Sequence, residues 1–490
     1  MADTLDTIST PSRAERKAPA PSELAAKPEL ILSTLSTNEM YTIPLKAQCD
    51  IHLGAAAMRF KTLVDRLPIL RRLAEEQGLT EIRTLEDLGT LLIPHSAMKS
   101  YPISYLDESR FDRLTKWLSG FTTHDLSKVD VNACETIDDW IDALDAQTKV
   151  RIAHSTGTSG KLSFLPRGVD EMPLKAPGYT LWFDPFGDEK SLLDVPVNEA
   201  PILYLQYRKG AYAQMRLLDV LEEHLYKGDA SMILTINPGR FSSEAVSLAG
   251  RLRAAEAKGE LGKVSLVPKL MARRDAFVKE QASAEEHLNN FLDETAVRFR
   301  GKSIAMMGHL PQLFRVANAA IARGYTDMFS PGSFVAGGGG LKGASLPDDW
   351  QNTVGRWLGQ ARPVLGYGMT EQIAAVRICP GGHYHIPPWQ IPFVLDPQTG
   401  EQFPRRGTQT GRFGVYDLNA SSYWGGFLTG DRVTLSYGDD EPCSCGRIGP
   451  YLHDSIRRYT EAEGGDDKIT CAGAPQAYDK ALDYIVQMGG

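Results

Sequence analysis

From about residue 150 onward, short apolar runs alternate with helical stretches, and this alternation limits the possible folds more than any other feature. The runs PILYLQY at 201–207, SMILTIN at 231–237 and KSIAMMG at 302–308 are each followed by a segment with apolar residues at three- and four-residue spacing. A further apolar run, SFVAGGGG, occupies 333–340. Strands that alternate with helices are typical of a largely parallel sheet with helices on its faces. We therefore predict an α/β fold that binds its ligands at the Gly-rich strand ends.

The parts of the chain outside this alternation have different patterns. Residues 1–28 are rich in Ala, Pro, Ser, Thr and charge, which predicts a flexible tail. Residues 29–150 carry mainly helical periodicity. The α/β core is predicted over 151–390. After it, short strands joined by turns predict a small β-subdomain over 391–465.

Composition and charge exclude several classes of protein. Hydrophobic residues make up 42% of the 490 residues and charged residues 23%, which excludes a fibrous or largely disordered chain. The net charge of −8, with no dense basic run, argues against a nucleic-acid partner. No apolar run reaches the ~18 residues expected of a membrane span, and the first residues lack a signal-peptide pattern. Six cysteines are too few for a disulfide framework, so we predict a cytoplasmic protein with reduced thiols.

The sequence HSTGTSGK at 154–161 is the strongest local signal for a ligand. Its glycines let the backbone approach an anion closely, and its hydroxyl groups add hydrogen-bond donors. A solvated Ser/Gly turn has a similar composition, so the motif alone leaves both interpretations open. A Walker A loop fits poorly, because Ser155 stands where that loop needs Gly and Leu162 where it needs Ser or Thr. No G-x-S-x-G occurs here, so a nucleophile elbow is not indicated.

Three further motifs follow along the chain. GGGGLKG at 337–343 suits close approach of the backbone to a flat ligand, or a plain exit from a strand. GYGMTE at 366–371 ends in Glu371, whose carboxylate could hold Mg²⁺ beside a phosphate; a turn with Thr370 as a helix N-cap is the alternative. TGD at 429–431 places a carboxylate after a tight turn, where it could accept hydrogen bonds from a ribose diol.

Taken together and in this order, the four motifs resemble those of the adenylate-forming superfamily of acyl-CoA synthetases and adenylation domains. The stretch EPCSCGR at 441–447, followed by DDKI at 466–469, is similar to one branch of it. That branch holds phenylacetate-CoA ligases, coenzyme F390 synthetase-like proteins and the acyl-protein synthetases of bacterial bioluminescence. The resemblance covers roughly residues 150–475. It implies a large N-terminal α/β domain, a small β-subdomain, ATP and Mg²⁺ as cofactors, and a homodimer.

For the first motif, the resemblance implies a loop that wraps the β- and γ-phosphates of ATP. Its lysine and backbone donors would offset the charge of the leaving pyrophosphate. The residues of this loop are Ser155, Thr156, Gly157, Thr158, Ser159, Gly160 and Lys161.

For the second and third motifs, the resemblance implies contacts with the nucleotide. Tyr367 would pack on the adenine, Thr370 would contact the α-phosphate, and Glu371 would bind Mg²⁺. The other residues assigned to the nucleotide pocket are Gly338, Gly339, Gly340, Gly368 and Met369.

For the fourth motif, the resemblance implies that Asp431 holds the ribose hydroxyl groups. An arginine usually follows that aspartate and also contacts the ribose. Arg458 is the first candidate and Arg447 the second, because the loop before Asp466 looks altered in length.

The sequence departs from the superfamily near its end. Members usually carry a mobile C-terminal domain whose lysine contacts the substrate carboxylate during adenylation. Residues 466–490 are too few to build that domain, so we predict a truncated remnant there. The luminescence acyl-protein synthetases are also short, and they hold the acyl group on a cysteine of their own. Cys471 occupies a comparable place; the alternative is a small buried residue beside the hinge.

The remaining cysteines of the last quarter suggest a metal site. Cys379, Cys443 and Cys445, with either His383 or His385, could supply four tetrahedral ligands for a structural Zn²⁺. The C-x-C spacing is less typical than C-x-x-C, and surface loops with unpaired thiols are the alternative.

The acyl pocket is less well defined than the nucleotide site. By position it could draw on Tyr204, Tyr207, His309 and Gly337, although aromatic residues near a pocket are more often part of the core.

We predict an ATP- and Mg²⁺-dependent ligase that activates a small carboxylic acid. It forms an aryl or fatty acyl adenylate, releases pyrophosphate and transfers the acyl group to a thiol. The acceptor stays open between CoA, an acyl carrier protein and Cys471, and a reductase could take the acyl group onward. Transfer to an amine, or a non-catalytic subunit that retains the fold, are the alternatives.

Overall fold

The structure is a computed structural model. It describes residues 19–155, 161–259, 274–336, 346–460 and 463. Among these residues, no helix is long and apolar enough to cross a membrane.

Helices surround the sheets and dominate the first third of the described chain. Their bounds are α1 Pro21–Ala26, α2 Glu29–Thr34, α3 Thr37–Tyr41, α4 Leu45–Leu63, α5 Pro68–Gln77, α6 Leu85–Gly89, α7 Ser104–Asp107, α8 Phe111–Leu118, α9 Ile137–Gln147, α10 Lys175–Thr180, α11 Ala213–Val220, α12 Ser243–Lys258, α13 Arg274–Phe299, α14 Leu310–Ala322 and α15 Trp350–Leu358.

Strands are short until the last quarter of the described chain. Their bounds are β1 Ile93–Pro94, β2 Val150–His154, β3 Phe164–Gly168, β4 Ile202–Lys209, β5 Ile233–Arg240, β6 Ala305–Met307, β7 Phe334–Ala336, β8 Arg362–Val364, β9 Gly366–Tyr367, β10 Val376–Arg377, β11 Tyr384–His385, β12 Gln390–Leu395, β13 Thr408–Asp417, β14 Gly426–Ser436, β15 Tyr451–Leu452 and β16 Arg457–Arg458.

A five-stranded parallel sheet forms the α/β part, in the order β5-β4-β6-β7-β8. Successive side chains of β4 point to opposite faces of the sheet, and helices cover both faces. Leu203 and Leu205 pack with α13, α14 and α15, whereas Ile202 and Tyr204 pack with α11 and α12. The predicted α/β fold with a parallel sheet and flanking helices is therefore confirmed.

A second, seven-stranded sheet is mainly antiparallel and contains strands from the region after residue 390, where short strands joined by turns were expected. Its main order is β11-β15-β14-β13-β12, and β1 and β16 also pair with β14. The parallel partner β1 comes from the segment 29–150, for which mainly helices were expected. Two residues are too short a run to show strand periodicity in a sequence. This strand brings the N-terminal part of the chain beside the TGD motif.

The N-terminal tail predicted over 1–28 extends too far. Helix α1 begins at Pro21 and buries Leu24 in a cluster with Ile31, Met40 and Trp389. Proline at the start of the helix needs no N–H partner, which favours helix initiation there. Polar composition alone does not reveal that one leucine of such a segment has a place in a core.

We expect Trp140→Ala to destabilise the region behind the 154–161 motif. Trp140 is fully buried, donates its indole N–H to Thr115 at 2.9 Å, and meets Phe164 edge-to-face at 5.0 Å. Loss of this side chain should lower the free energy of unfolding by about 3–5 kcal/mol. Urea denaturation measures the loss. The control Val297→Ala, at an 87% exposed position, should stay within about 0.5 kcal/mol of the parent; equal stability of both variants would contradict this packing.

Candidate functional site

The 154–161 motif joins two antiparallel strands, β2 and β3, with His154 opposite Phe164. Ser155 and Lys161 are described, whereas the predicted phosphate contacts Thr156 to Gly160 lie outside the described residues. The Lys161 ammonium group donates to the backbone carbonyl of Tyr101 at 2.7 Å. Burial, together with the positive charge of Lys99, lowers the pKa of Lys161.

The YGMTE and TGD motifs, 64 residues apart, meet in one hydrogen-bonded cluster. The Tyr367 hydroxyl group donates to Oδ2 of Asp431 at 2.8 Å. Nε of Arg458 lies 2.9 Å from Oδ1 of the same carboxylate, and the two residues are cross-strand partners in β14 and β16. Burial and the negative charge of Asp431 raise the pKa of Tyr367 well above its usual range. The three predicted nucleotide residues Tyr367, Asp431 and Arg458 are thus adjacent.

Arg447, the second candidate for the ribose, lies elsewhere. Its guanidinium group pairs with Glu189 at 2.7 Å and lies 3.5 Å from the Cys445 sulfur. Of the two arginines, Arg458 is the one beside Asp431, because β16 pairs with the TGD segment of β14.

An arginine that the sequence analysis did not single out holds the backbone of the Thr370–Glu371 segment. Arg167 in β3 is fully buried and donates to the carbonyl groups of Thr370 at 2.8 Å and Gln372 at 2.9 Å. Tyr423 donates to the carbonyl of Glu371 at 3.1 Å. These bonds fix the backbone under Glu371, whose side chain is half-exposed. The sequence signal that could have revealed this role is the single charged residue, Arg167, in the largely apolar run SFLPRG.

The turn before Tyr367 requires glycine for steric reasons. A Cβ on Gly366 would lie 2.0 Å from the Trp182 ring. Trp182 is itself fixed by donating its indole N–H to the carbonyl of Ala375 at 2.8 Å. One residue separates β8 from β9. The chain therefore passes from the carboxyl edge of the parallel sheet directly into the strand that carries Tyr367.

A short 3-10 helix, His95–Lys99, approaches the same site and was not anticipated from the sequence. It follows β1, whose pairing with β14 places it beside Leu428. Nδ1 of His95 lies 3.4 Å from the Leu428 carbonyl, and its ring would lie 3.4 Å from a Cβ on Gly430. Lys99, at the other end, is the charge that acts on Lys161. The site is therefore more cationic than its four motifs suggest.

The predicted acyl-pocket residues follow the strands of the parallel sheet. Tyr204 is fully buried and hydrogen-bonded to Gln214 at 3.2 Å, so it lies in the core. Tyr207 is half-buried near the end of β4, and His309 is buried at the start of α14. Gly337 to Gly340 come directly after β7 but lie outside the described residues.

The predicted metal ligands come together in a second cluster. One ligand atom each of Cys379, His385, Cys443 and Cys445 lies within 4.8 Å of all the others. The Cys379 and Cys443 sulfurs are 3.7 Å apart, and the Cys445 sulfur is 3.2 Å from Nε2 of His385. Tetrahedral Zn²⁺ with bonds of about 2.3 Å to sulfur and 2.0 Å to nitrogen needs edges of about 3.5–3.8 Å. The donor set fits such an ion; the distance between the Cys379 and Cys443 sulfurs matches a tetrahedral edge, and the distance from Cys445 to His385 is about 0.3 Å shorter than one.

Tight turns bring the sulfurs together. Cys379 donates its N–H to the carbonyl of His383 at 2.8 Å, and Gly446 donates to Cys443 at 3.0 Å. Gly382 and Gly446 have φ of +80° and +84°, a conformation that favours glycine. His383, the other histidine considered, lies 3.3 Å from the Cys443 sulfur but is not one of the four clustered ligands. Hydrogen bonds from Cys379 and His385 hold the pKa of the Cys445 thiol well below its usual range.

Comparison with protein-family models and with curated protein sequences gives no significant match. Among solved structures, the chain is similar to an open conformation of 2-hydroxyisobutyryl-CoA ligase in complex with 2-HIB-AMP and CoA. The two are 16% identical over 85% of this chain and 76% of the ligase, with a TM-score of 0.45.

Two further solved structures resemble the chain over a smaller part of their own length. ATP-bound MatB from Rhodopseudomonas palustris is 16% identical, over 62% of this chain and 46% of MatB, with a TM-score of 0.33. The long-chain-fatty-acid-CoA ligase FadD1 from Archaeoglobus fulgidus is 12% identical, over 64% of this chain and 52% of that enzyme, with a TM-score of 0.35. The chain thus spans about half the length of these two.

We expect stability to fall as the pH drops below about 6.5, in part because of His154. Its imidazole is fully buried between the carbonyl of Ser155 and the Ser243 hydroxyl group, at 3.1 Å from each. Burial lowers its pKa to about 4. The unfolded chain therefore takes up a proton below pH ~6.5 that the folded state takes up only near pH 4, which costs up to about 1.4 kcal/mol per pH unit.

Urea denaturation between pH 7 and pH 4 measures this dependence. His154→Gln should reduce the slope within that window, whereas the control His224→Gln, at a partly exposed position, should leave it unchanged. The same slope in His154→Gln as in the parent would contradict a neutral buried His154.

Proposed function

We propose that this chain belongs to the adenylate-forming superfamily and activates a carboxylic acid with ATP. The observation that carries the proposal is the cluster of Tyr367, Asp431 and Arg458, in which two separate motifs converge on one carboxylate. A carboxylate with a fixed orientation can accept hydrogen bonds from both hydroxyl groups of a ribose. Arg458 balances its negative charge, and Tyr367 places a ring beside it.

The phosphates would lie between the 154–161 loop and the YGMTE segment. Lys161 and Lys99 supply positive charge on one side of this region. Glu371, on a backbone held by Arg167 and Tyr423, supplies the carboxylate oxygen that a hard cation such as Mg²⁺ prefers. Bound Mg²⁺ would stabilise negative charge on the phosphates. Fixed charges of this kind act most strongly on the transition state, because they need no reorganisation as pyrophosphate departs.

The proposed reaction has two steps. A carboxylate oxygen of the substrate attacks the α-phosphorus of ATP, which forms an acyl adenylate and releases pyrophosphate. A thiol then attacks the acyl carbonyl carbon, AMP leaves, and the thiol proton passes to solvent or a base. CoA, a carrier protein, Cys471 and an amine are the candidate acceptors; Cys471 lies outside the described residues.

The first test is acid-dependent exchange of labelled pyrophosphate into ATP, across aryl, fatty and amino acids. We expect Glu371→Gln to reduce exchange by about 10²-fold or more, because it removes the carboxylate that holds the cation. Glu75→Gln, at an exposed helix position, is the matched control and should exchange like the parent. Near-normal exchange in Glu371→Gln would exclude the Mg²⁺ role. ATP binding without exchange for any acid would favour the non-catalytic subunit.

The cysteine cluster is proposed to hold a structural Zn²⁺. Three sulfurs and one imidazole nitrogen complete a tetrahedron, which leaves no open position for a water or substrate. Protein purified without chelator should therefore contain about one Zn²⁺ per chain by elemental analysis. Cys443→Ser should lower that content, whereas Cys134→Ser, a free cysteine outside the cluster, should not. A zinc-free parent protein that is stable and active would contradict the centre.

A further inference from the structure

The strand that presents Tyr367 has little support of its own. It forms a two-stranded sheet with β10, with Tyr367 opposite Val376 and Gly366 opposite Arg377. Beside this pair, Ile378 donates its N–H to the carbonyl of Leu365 at 3.0 Å and forms an isolated antiparallel bridge with Tyr384. An isolated pair of such short strands is marginally stable. Side-chain packing helps to keep Tyr367 in reach of Asp431, because its ring lies against those of Tyr384 and Phe413 in the seven-stranded sheet, with centroids 6.3 and 6.0 Å away.

The cysteine cluster begins at the end of this hairpin. Cys379 follows Ile378 directly, and its sulfur is one of the four clustered ligand atoms. The other ligands belong to the rim of the seven-stranded sheet, because His385 lies in β11, and Cys443 and Cys445 lie in the segment before β15. An ion bound by all four would therefore fasten the hairpin to the sheet that carries Asp431.

A chain of ion pairs makes a second connection between the same parts. Arg377 of β10 pairs with Glu189 at 2.5 Å, and Glu189 pairs with Arg447 at 2.7 Å. Arg447 in turn lies 3.5 Å from the Cys445 sulfur. All three charged side chains are at most 13% exposed, so screening by water is weak.

The metal centre and the chain of ion pairs carry opposite net charges. Zn²⁺ bound by three thiolates and a neutral imidazole carries one net negative charge, and the two arginines with Glu189 carry one net positive charge. A buried charge is tolerated only when a partner compensates it. The bound ion would thus place a compensating charge beside Arg447 and, through Glu189, near Arg377 on the strand opposite Gly366.

We propose that the metal centre positions the Tyr367 strand, so that occupancy of the zinc site controls nucleotide binding at the site formed by Tyr367 and Asp431. Cys379, Glu189 and Arg447 act as positioning residues through β10. The proposal rests on the zinc centre and the ATP site proposed above. It goes beyond them because it makes the metal a determinant of ATP affinity.

The test compares hydrogen exchange in residues 365–378 with and without Zn²⁺. A chelator removes the metal, and excess ZnCl₂ restores it. We expect exchange in this segment to rise about 10-fold or more without metal and to return on reconstitution. The KM for ATP should rise by about 10-fold or more, while the KM for the acid changes little, because only the nucleotide strand is displaced. Unchanged exchange and an unchanged KM for ATP would overturn the proposal.

Variants separate this coupling from a general loss of folding. Glu189→Gln keeps all four metal ligands and breaks the ion-pair connection, so it should retain zinc yet raise exchange in 365–378 and the KM for ATP. Glu199→Gln, at an exposed site on the same connecting segment, is the matched control. Zinc-bound Glu189→Gln that behaves like the parent in both readouts would overturn the ion-pair connection.

The outcomes also distinguish failure of the coupling from failure of the proposed function. Metal-dependent exchange in 365–378, in a protein that neither binds ATP nor exchanges pyrophosphate, would support positioning of the Tyr367 strand by the metal but reject the ligase and the control of ATP binding. If the protein is an active ligase and hydrogen exchange in residues 365–378 does not depend on the metal, the proposed function stands and the coupling is rejected. A parent protein that never binds Zn²⁺ would reject the coupling together with the centre.

Discussion

A buried guanidinium group, that of Arg167, organises the centre of this protein. A charge in an apolar interior is costly unless polar groups surround it. Nη2 of Arg167 donates to the carbonyl groups of Thr370 and Gln372. The ring of Tyr423 lies against the same guanidinium group at 5.3 Å. One side chain thereby joins β3 of the 154–161 motif to the YGMTE segment and to the loop before β14, so three distant parts of the sequence share one point of contact.

Asp431 has a comparable role at the border between the two large sheets. Its strand belongs to the seven-stranded sheet, whereas Tyr367 follows the last strand of the parallel sheet. The hydrogen bond between them and the pair with Arg458 bring both sheets to the same carboxylate. Polar groups that follow the parallel sheet therefore meet polar groups of the seven-stranded sheet at this border.

The metal cluster shows which features of a metal site can be predicted from residue types and turn residues in the sequence. Three cysteines and nearby histidines, bordered by Pro and Gly, predicted a metal site but left His383 and His385 as candidates. In the structure His385, in β11, is the histidine that clusters with the three cysteines. The partners of the cluster, Glu189 and Arg447, come from segments far apart in sequence and carry no local signal of their contact.

The sequence alone determined the alternation of strands and helices, the order of the four motifs, and the residue types able to bind a nucleotide and a metal. These features are local, since helix and strand periodicity and turn-forming residues act over a few positions. The tertiary structure decided the rest. It placed Arg458 rather than Arg447 beside Asp431, brought β1 and His95 next to the TGD segment, formed a helix from Pro21 within the predicted tail, and bonded the buried Arg167 to the backbone beside Glu371. The physical reason is that register, burial and charge compensation depend on groups that meet only after the chain has folded.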